Sequence, residues 1–275
     1  ALHFYELDQL YEEVGTAPEK RLALLEKNHD IISQRDDALI VEISLKVFMG
    51  KYREAIELMQ GRSFDAWEGR GQGDVTGNWT DAHLLRGHQH LAAGRYREAL
   101  SDYQASMEFP ENLQAGMGWG GSRRPEMAYW MGIAYEGLGD LEEAEKLWRE
   151  SSSIEPRRRR RFRGLSPRNI QPYYQGLALL KLGEKDRAKQ IFEGLVESAQ
   201  RALDWNPDPG FPANFVERYR QFNLTLGHYI AGLGYMGLAA SEKAREEFTQ
   251  TLLTDPNHLG AKTALARLDR LGESP

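Results

Sequence analysis

The chain has 275 residues, of which 41% are hydrophobic and 28% charged, and a formal net charge of −6. That is the make-up of an ordinary soluble protein and argues against bulk nucleic-acid binding. The absence of Cys excludes disulfides, thiolate metal sites and cysteine nucleophiles, and no apolar run approaches the roughly 18 residues that a membrane span needs.

The chain opens ALHFYELDQL, with neither the charged n-region nor the apolar h-region of a signal peptide, and with no initiator Met. Two origins fit, a removed leader or a piece of a longer chain. The second is favoured because a helix begins at once, and the expected setting is cytoplasmic. FYELDQLYEEVG and APEKRLALLEKN predict an opening helix pair within residues 1–30, with Thr16 as N-cap and Pro18 in the first turn.

From there one skeleton recurs. It appears in FMGKYREAIELM (48–59), LAAGRYREALSDY (91–103), YEGLGDLEEAEKLW (135–148), LLKLGEKDRAKQIF (179–192) and YMGLAASEKAREEF (235–248). Each stretch ends a helix, turns at or near Gly, and starts a second helix around an Ala. Those alanines, Ala55, Ala99, Ala144, Ala188 and Ala244, are spaced 44, 45, 44 and 56 residues apart. The third copy is the fullest, with Gly132, Tyr135, Gly139, Ala144, Trp148 and Pro156. The first is the weakest and puts Glu42 where an apolar core residue is expected. HLGAKTALARLDRLG supplies a closing helix over 257–272 that would shield the last apolar face.

This pattern resembles the tetratricopeptide repeat, a helix–turn–helix unit of about 34 residues. The resemblance implies an all-α right-handed superhelix of five such repeats (36–256), with long inter-repeat inserts and terminal capping helices, as a single domain over 1–275. Gly and Ala allow helix backbones to approach, and the aromatic fills the space beside them.

Each repeat is about ten residues longer than the family unit. The excess follows the second helix, in 61–80, 108–125, 153–171 and 203–221. Equivalent connections of a repeat array emerge along one edge. The stretch DAWEGRGQGDVTGNW (65–79), with four glycines and two tryptophans, reads as such a loop. Trp67, Glu68, Trp79, Glu111, Trp119 and Trp205 are the candidate binding residues of this loop edge. Their tryptophans either pin the loops down or face outward as a platform.

In a tetratricopeptide array the first helix of each unit lines the concave face, which here implies a groove of Tyr129, Trp130, Tyr173, Tyr174 and Tyr229. A partner's segment fits such a face, unless a loop or terminal helix already fills it. The Lys, Asn and Arg of the family's carboxylate clamp are not at these positions. The run PRRRRRFRG (156–164) offers Arg158, Arg160, Arg161 and Arg163 as an anion candidate. Solvation or neutralisation of nearby acidic helices is the plainer reading. No metal, cofactor or catalytic residue is expected: His83 and His90 share a helix face but hold core positions, and no hydrolase, phosphate-loop or zinc motif is present.

Six segments carry a closer likeness: RDD (35–37), GKYREAIELM (50–59), WEG (67–69), PENL (110–113), YQGLALLKLG (174–183) and GLGYMGL (232–238). Over roughly residues 5–262 the chain looks like the C-terminal repeat region of large bacterial proteins whose repeats follow an uncharacterised mutarotase-like β domain. The arginine run departs from that pattern. This resemblance implies a carbohydrate-related setting and a non-catalytic scaffold that docks on a carbohydrate-active domain or partner, although a longer parent chain could be an enzyme. The alternatives are a free-standing peptide-binding module, or inserts that contribute to a glycan-binding or glycan-processing site. The expected partner is a protein or a covalently linked domain, with an oligosaccharide as the other possibility and neither nucleic acid nor membrane.

Overall fold

The computed structural model describes residues 1–64, 75–113, 123–153, 170–207 and 210–272. Among these every regular element is helical. Contacts divide the chain into two compact units, 1–122 with 134–140, and 123–133 with 141–275.

The first unit contains α1 (Leu2–Glu13), α2 (Pro18–Lys27), the short α3 (His29–Ile32), α4 (Asp36–Phe48), α5 (Tyr52–Gln60), α6 (Val75–Ala92), α7 (Tyr96–Ala105), the 3-10 turn η1 (Glu111–Leu113) and the end of α8 (Arg124–Leu138). The second contains the start of α8, α9 (Leu141–Ser153), α10 (Gln171–Lys181), α11 (Lys185–Leu203), α12 (Ala213–Gly237), α13 (Ser241–Thr254) and α14 (Leu259–Gly272). The repeat pairs are α4–α5, α6–α7, α8–α9, α10–α11 and α12–α13.

Each pair closes in the same way. The N–H groups of Gly50, Gly94, Gly139, Gly183 and Ala239 donate to the carbonyl three residues back, and the next N–H donates five residues back. This double closure satisfies carbonyls left over at the helix end, and it requires a left-handed residue. Four of these residues are Gly; Ala239 takes the same conformation at φ 58°.

The packing inside the pairs follows the sequence pattern. Ala55, Ala99, Ala144, Ala188 and Ala244 are all fully buried. A Cβ placed on Gly132 would lie 2.4 Å from Nε1 of Trp148. Gly87 with Tyr103, Gly176 with Phe192 and Gly232 with Phe248 repeat that close approach. The first pair has Ile43 and Met59 in the corresponding positions, both fully buried, so the weak repeat still places apolar side chains there.

Several local expectations are corrected. Trp79 is not on a loop, because α6 already begins at Val75. The fourth insert is shorter than expected, since α12 starts at Ala213 after Pro212. Residue Ala17, not Thr16, occupies the N-cap of α2. Glu42 is buried, 2.9 Å from His29 Nδ1 and 3.7 Å from Lys46 Nζ. His29 stands on α3, outside the repeats.

Candidate functional site

In the first unit the described ends of two inserts are joined. Phe64 N–H donates to the Asn112 carbonyl at 2.9 Å, and the Asn112 amide donates to the carbonyls of Met59 and Arg62 at 2.8 and 2.6 Å. Asn112 of PENL thus ties off the end of α5, while Glu111 beside it is exposed. Trp79 is 4% exposed, and its indole N–H donates to the carbonyls of Ala105 and Glu108 at 2.9 and 3.0 Å. It anchors the end of α7. Trp67, Glu68, Trp119, Arg158, Arg160, Arg161 and Arg163 lie outside the described residues.

His83 and His90 of α6 do converge, on buried Asp102. His83 Nδ1 is 2.8 Å and His90 Nε2 3.4 Å from its carboxylate, which also accepts from Arg86. Burial pushes the Asp102 carboxyl up, but His83 and Arg86 outweigh it and hold it below the ordinary range. This is a packed ion network; among the described residues no group of His and carboxylates is placed to hold a metal.

In the second unit four of the five aromatic residues of the inferred groove make ring contacts with one another. α8 supplies Tyr129 and Trp130, with ring centroids 5.1 Å apart; α10 supplies Tyr173 and Tyr174, 5.2 Å apart. Tyr174 joins the two helices, 6.1 Å from Tyr129 and 6.5 Å from Trp130. Tyr229 of α12 stacks on His258, 4.5 Å away, at the foot of α14. Tyr129, Tyr173 and Tyr229 are buried, whereas Trp130 and Tyr174 remain half-buried.

Two charged residues complete this face. Glu126, in the first turn of α8, is buried and accepts from Arg123 at 2.8 Å. Burial and the charge of Glu126 hold the Tyr174 hydroxyl well above its ordinary pKa, and that hydroxyl bonds to Glu126. Arg267 of α14 places its guanidinium 5.3 Å from the Trp130 ring centre and bonds to Tyr129. Burial disfavours the charge on Arg267, but Tyr173, Tyr129 and Tyr174 facing it outweigh that loss and raise its pKa. Sequence reasoning missed Arg267. The signal was present in ALARLDRL, where Arg267 follows Ala264 by three residues and so shares the helix face that packs inward.

Trp205 lies in the second unit with Phe211 and Tyr219, at ring distances of 5.5 and 6.2 Å. This cluster includes residues of α12, not only of the insert.

Two stretches match family models described as tetratricopeptide repeat, residues 125–158 and residues 173–199. They fall on the third and fourth repeat pairs, so these two stretches are similar to tetratricopeptide repeats. Among solved structures, MamA from Desulfovibrio magneticus RS-1 (41 to the end) is 19% identical, covering 72% of this chain and 99% of that chain at a TM-score of 0.25. A MamA RS-1 ArsTM double mutant is 20% identical, covering 73% and 99%, at a TM-score of 0.24.

Proposed function

We propose that the chain is a non-catalytic protein-interaction module and that, in the second unit, the partner is met by the aromatic face of α8, α10 and α12. The observation that carries this reading is the assembly of Tyr129, Trp130 and Tyr174 into one set of adjoining rings, with Trp130 and Tyr174 half-buried. Aromatic side chains of this kind give large contact area at low entropic cost. Tetratricopeptide repeats generally mediate protein contacts, and the matched stretches contain these residues.

The finer setting is docking on a carbohydrate-active domain or partner, which rests on the likeness carried by WEG and PENL. A loop edge of Trp67, Glu68, Trp119 and Trp205 belongs to the same proposal, as does the anion role of the arginine run. A free-standing peptide-binding module would use the same aromatic face without that setting.

The test is a selection of displayed peptides, helical and extended, on the full chain, with Trp130→Ala as counter-screen and an oligosaccharide panel alongside. Binders that Trp130→Ala loses would support the reading. Selected binders indifferent to Trp130→Ala, or none at all, would overturn it. A saturable tryptophan-fluorescence response to one glycan alone would favour the loop edge instead.

A further inference from the structure

Helix α14 is a fixed part of the second unit. Ala261, Ala264 and Leu268 are buried in its core with Leu265 packed against it, and Asp269 pairs with Arg245 of α13 at 2.6 Å. The helix thereby holds Arg267 beside the aromatic face, its guanidinium 5.3 Å from the Trp130 ring centre and bonded to the Tyr129 hydroxyl.

Charge balance sets Arg267 apart. Arg21, Arg35, Arg62, Arg86, Arg123 and Arg245 are the other described arginines that are buried or half-buried, and each pairs with a carboxylate. Arg267 is half-buried too, yet among the described residues no carboxylate pairs with it. Its neighbours are ring faces and phenol hydroxyls, which do not neutralise it. Taking a cation out of water without a counter-charge is costly, and guanidinium, being weakly hydrated, bears that cost better than an ammonium does. The buried acid of this face, Glu126, is already engaged by Arg123 and the Tyr174 hydroxyl.

A second donor accompanies the guanidinium. Tyr173 is 2% exposed, and among the described residues its hydroxyl makes no hydrogen bond. Burial pushes the pKa of that hydroxyl up and the charge of Arg267 opposes the rise, so the two groups are within electrostatic reach of each other. A planar cation with spare N–H groups and an unengaged O–H beside it suit an acceptor with two oxygens.

We infer that Arg267, with the Tyr173 hydroxyl beside it, is a carboxylate subsite of the aromatic face, and that the partner brings an aspartate or glutamate side chain to it, with an apolar neighbour lying on Trp130 and Tyr174. This deepens the interaction reading above and rests on it. The site has one positive charge, and Glu126 puts a negative charge on the same face, so it matches a monoanion and repels a phosphate dianion. The face runs from α8 to α12, so a segment crossing it continues past the charge, which makes the carboxylate that of a side chain and not of a chain end.

The probe is the capped dipeptide acetyl-Phe-Asp-amide, titrated into the full chain while the side-chain Nε–H signal of Arg267 is followed by NMR and assigned through Arg267→Lys. That signal should shift saturably, with a Kd on the order of one millimolar. Acetyl-Phe-Asn-amide, the neutral isostere, should bind roughly tenfold more weakly, the scale of one charge-assisted hydrogen bond. Arg267→Gln should abolish the preference for the acid, and Tyr173→Phe should reduce it.

No shift with the acid, or equal binding of acid and amide, overturns the inference, and this comparison needs no variant to fold. Tighter binding of a phosphoserine dipeptide, or of acetyl-Phe-Gly with a free chain end, overturns it as well. Displayed peptides that require Trp130 but carry no acidic residue would remove the subsite and leave the interaction reading standing.

Discussion

Where Gly132 meets Trp148, the side chain that is missing from one helix is the room that the other fills. A methyl group at Gly132 would lie 2.4 Å from the indole nitrogen, and Trp148 has only 6% of its surface exposed. Trp148→Ala should therefore lower the stability of its unit by about 3–5 kcal/mol as a large core truncation. Gly132→Ala should cost about 1–3 kcal/mol by overpacking. The pair should be coupled: the alanine at 132 should hurt less once the indole is gone. Urea unfolding of the two single variants and the double would show this, and an unchanged midpoint for Trp148→Ala would remove the repeat register itself. Ala239 is the opposite case. It holds a left-handed backbone at φ 58° where its four counterparts are Gly, a conformation that costs an L-residue about 1–2 kcal/mol. Ala239→Gly should raise the melting temperature, by less than the full strain because Gly also loosens the unfolded chain. A fall in melting temperature would mean that the Ala239 methyl makes contacts worth more than the strain. Both kinds of residue were legible in the sequence, because close approach and turn closure are local requirements that leave Gly and Ala at fixed offsets. Glu42 was only half legible. Its misfit was plain, but its partner His29 comes from another helix, and no local pattern points to that.

At the scale of elements, helix pairs and turns could be read from period and punctuation, while the start of α6 could not. Gly77 and the neighbouring glycines dilute the helical period before Trp79, and what fixes that helix is a tertiary bond from the Trp79 indole to the end of α7. For α14 the sequence pattern yields a closing helix that shields the last apolar face, but not its contact of Arg267 with Trp130, which joins distant parts of the chain. Its other end is pH-sensitive. The Ala261 N–H donates to Nδ1 of His258 at 3.1 Å, so the imidazole acts as the N-cap acceptor and must be neutral there. Burial lowers the His258 pKa below its ordinary value, and Asp255 beside it opposes this without reversing it. The sign follows from linkage. A histidine with a depressed folded pKa takes up fewer protons folded than unfolded, so its contribution is whole above the unfolded value of about 6.5 and drains as pH falls below it. Amide exchange along α14, corrected for intrinsic rates, should therefore speed up between about pH 7.5 and about pH 5.5. Replacing His258 with Asn, a cap that does not titrate, should remove that dependence. Protection that ignores pH in the parent chain, or responds equally in His258→Asn, would show that the cap does not govern α14.

For the whole molecule, the sequence gives charge more securely than it gives a partner. A partner is specified by a surface that many residues build together, and here the place of Arg267 beside Trp130 became visible only once α8, α10 and α14 were in place. Charge needs no folding to be counted. With 35 basic and 41 acidic residues the chain carries −6 at neutral pH, with a sequence pI of about 5.7. Self-repulsion at pH 7 should keep copies apart, and it fades as the net charge approaches zero. Solubility at low ionic strength should accordingly pass through a minimum near the pI, and added salt should matter most on the alkaline side, where repulsion is there to be screened. Turbidity across a pH series at two salt concentrations checks both parts. A minimum more than about one unit from the sequence value would mean that folding displaces the protonation of several groups together, and Asp102, whose carboxyl His83 and Arg86 hold below the ordinary range, would be the first to replace.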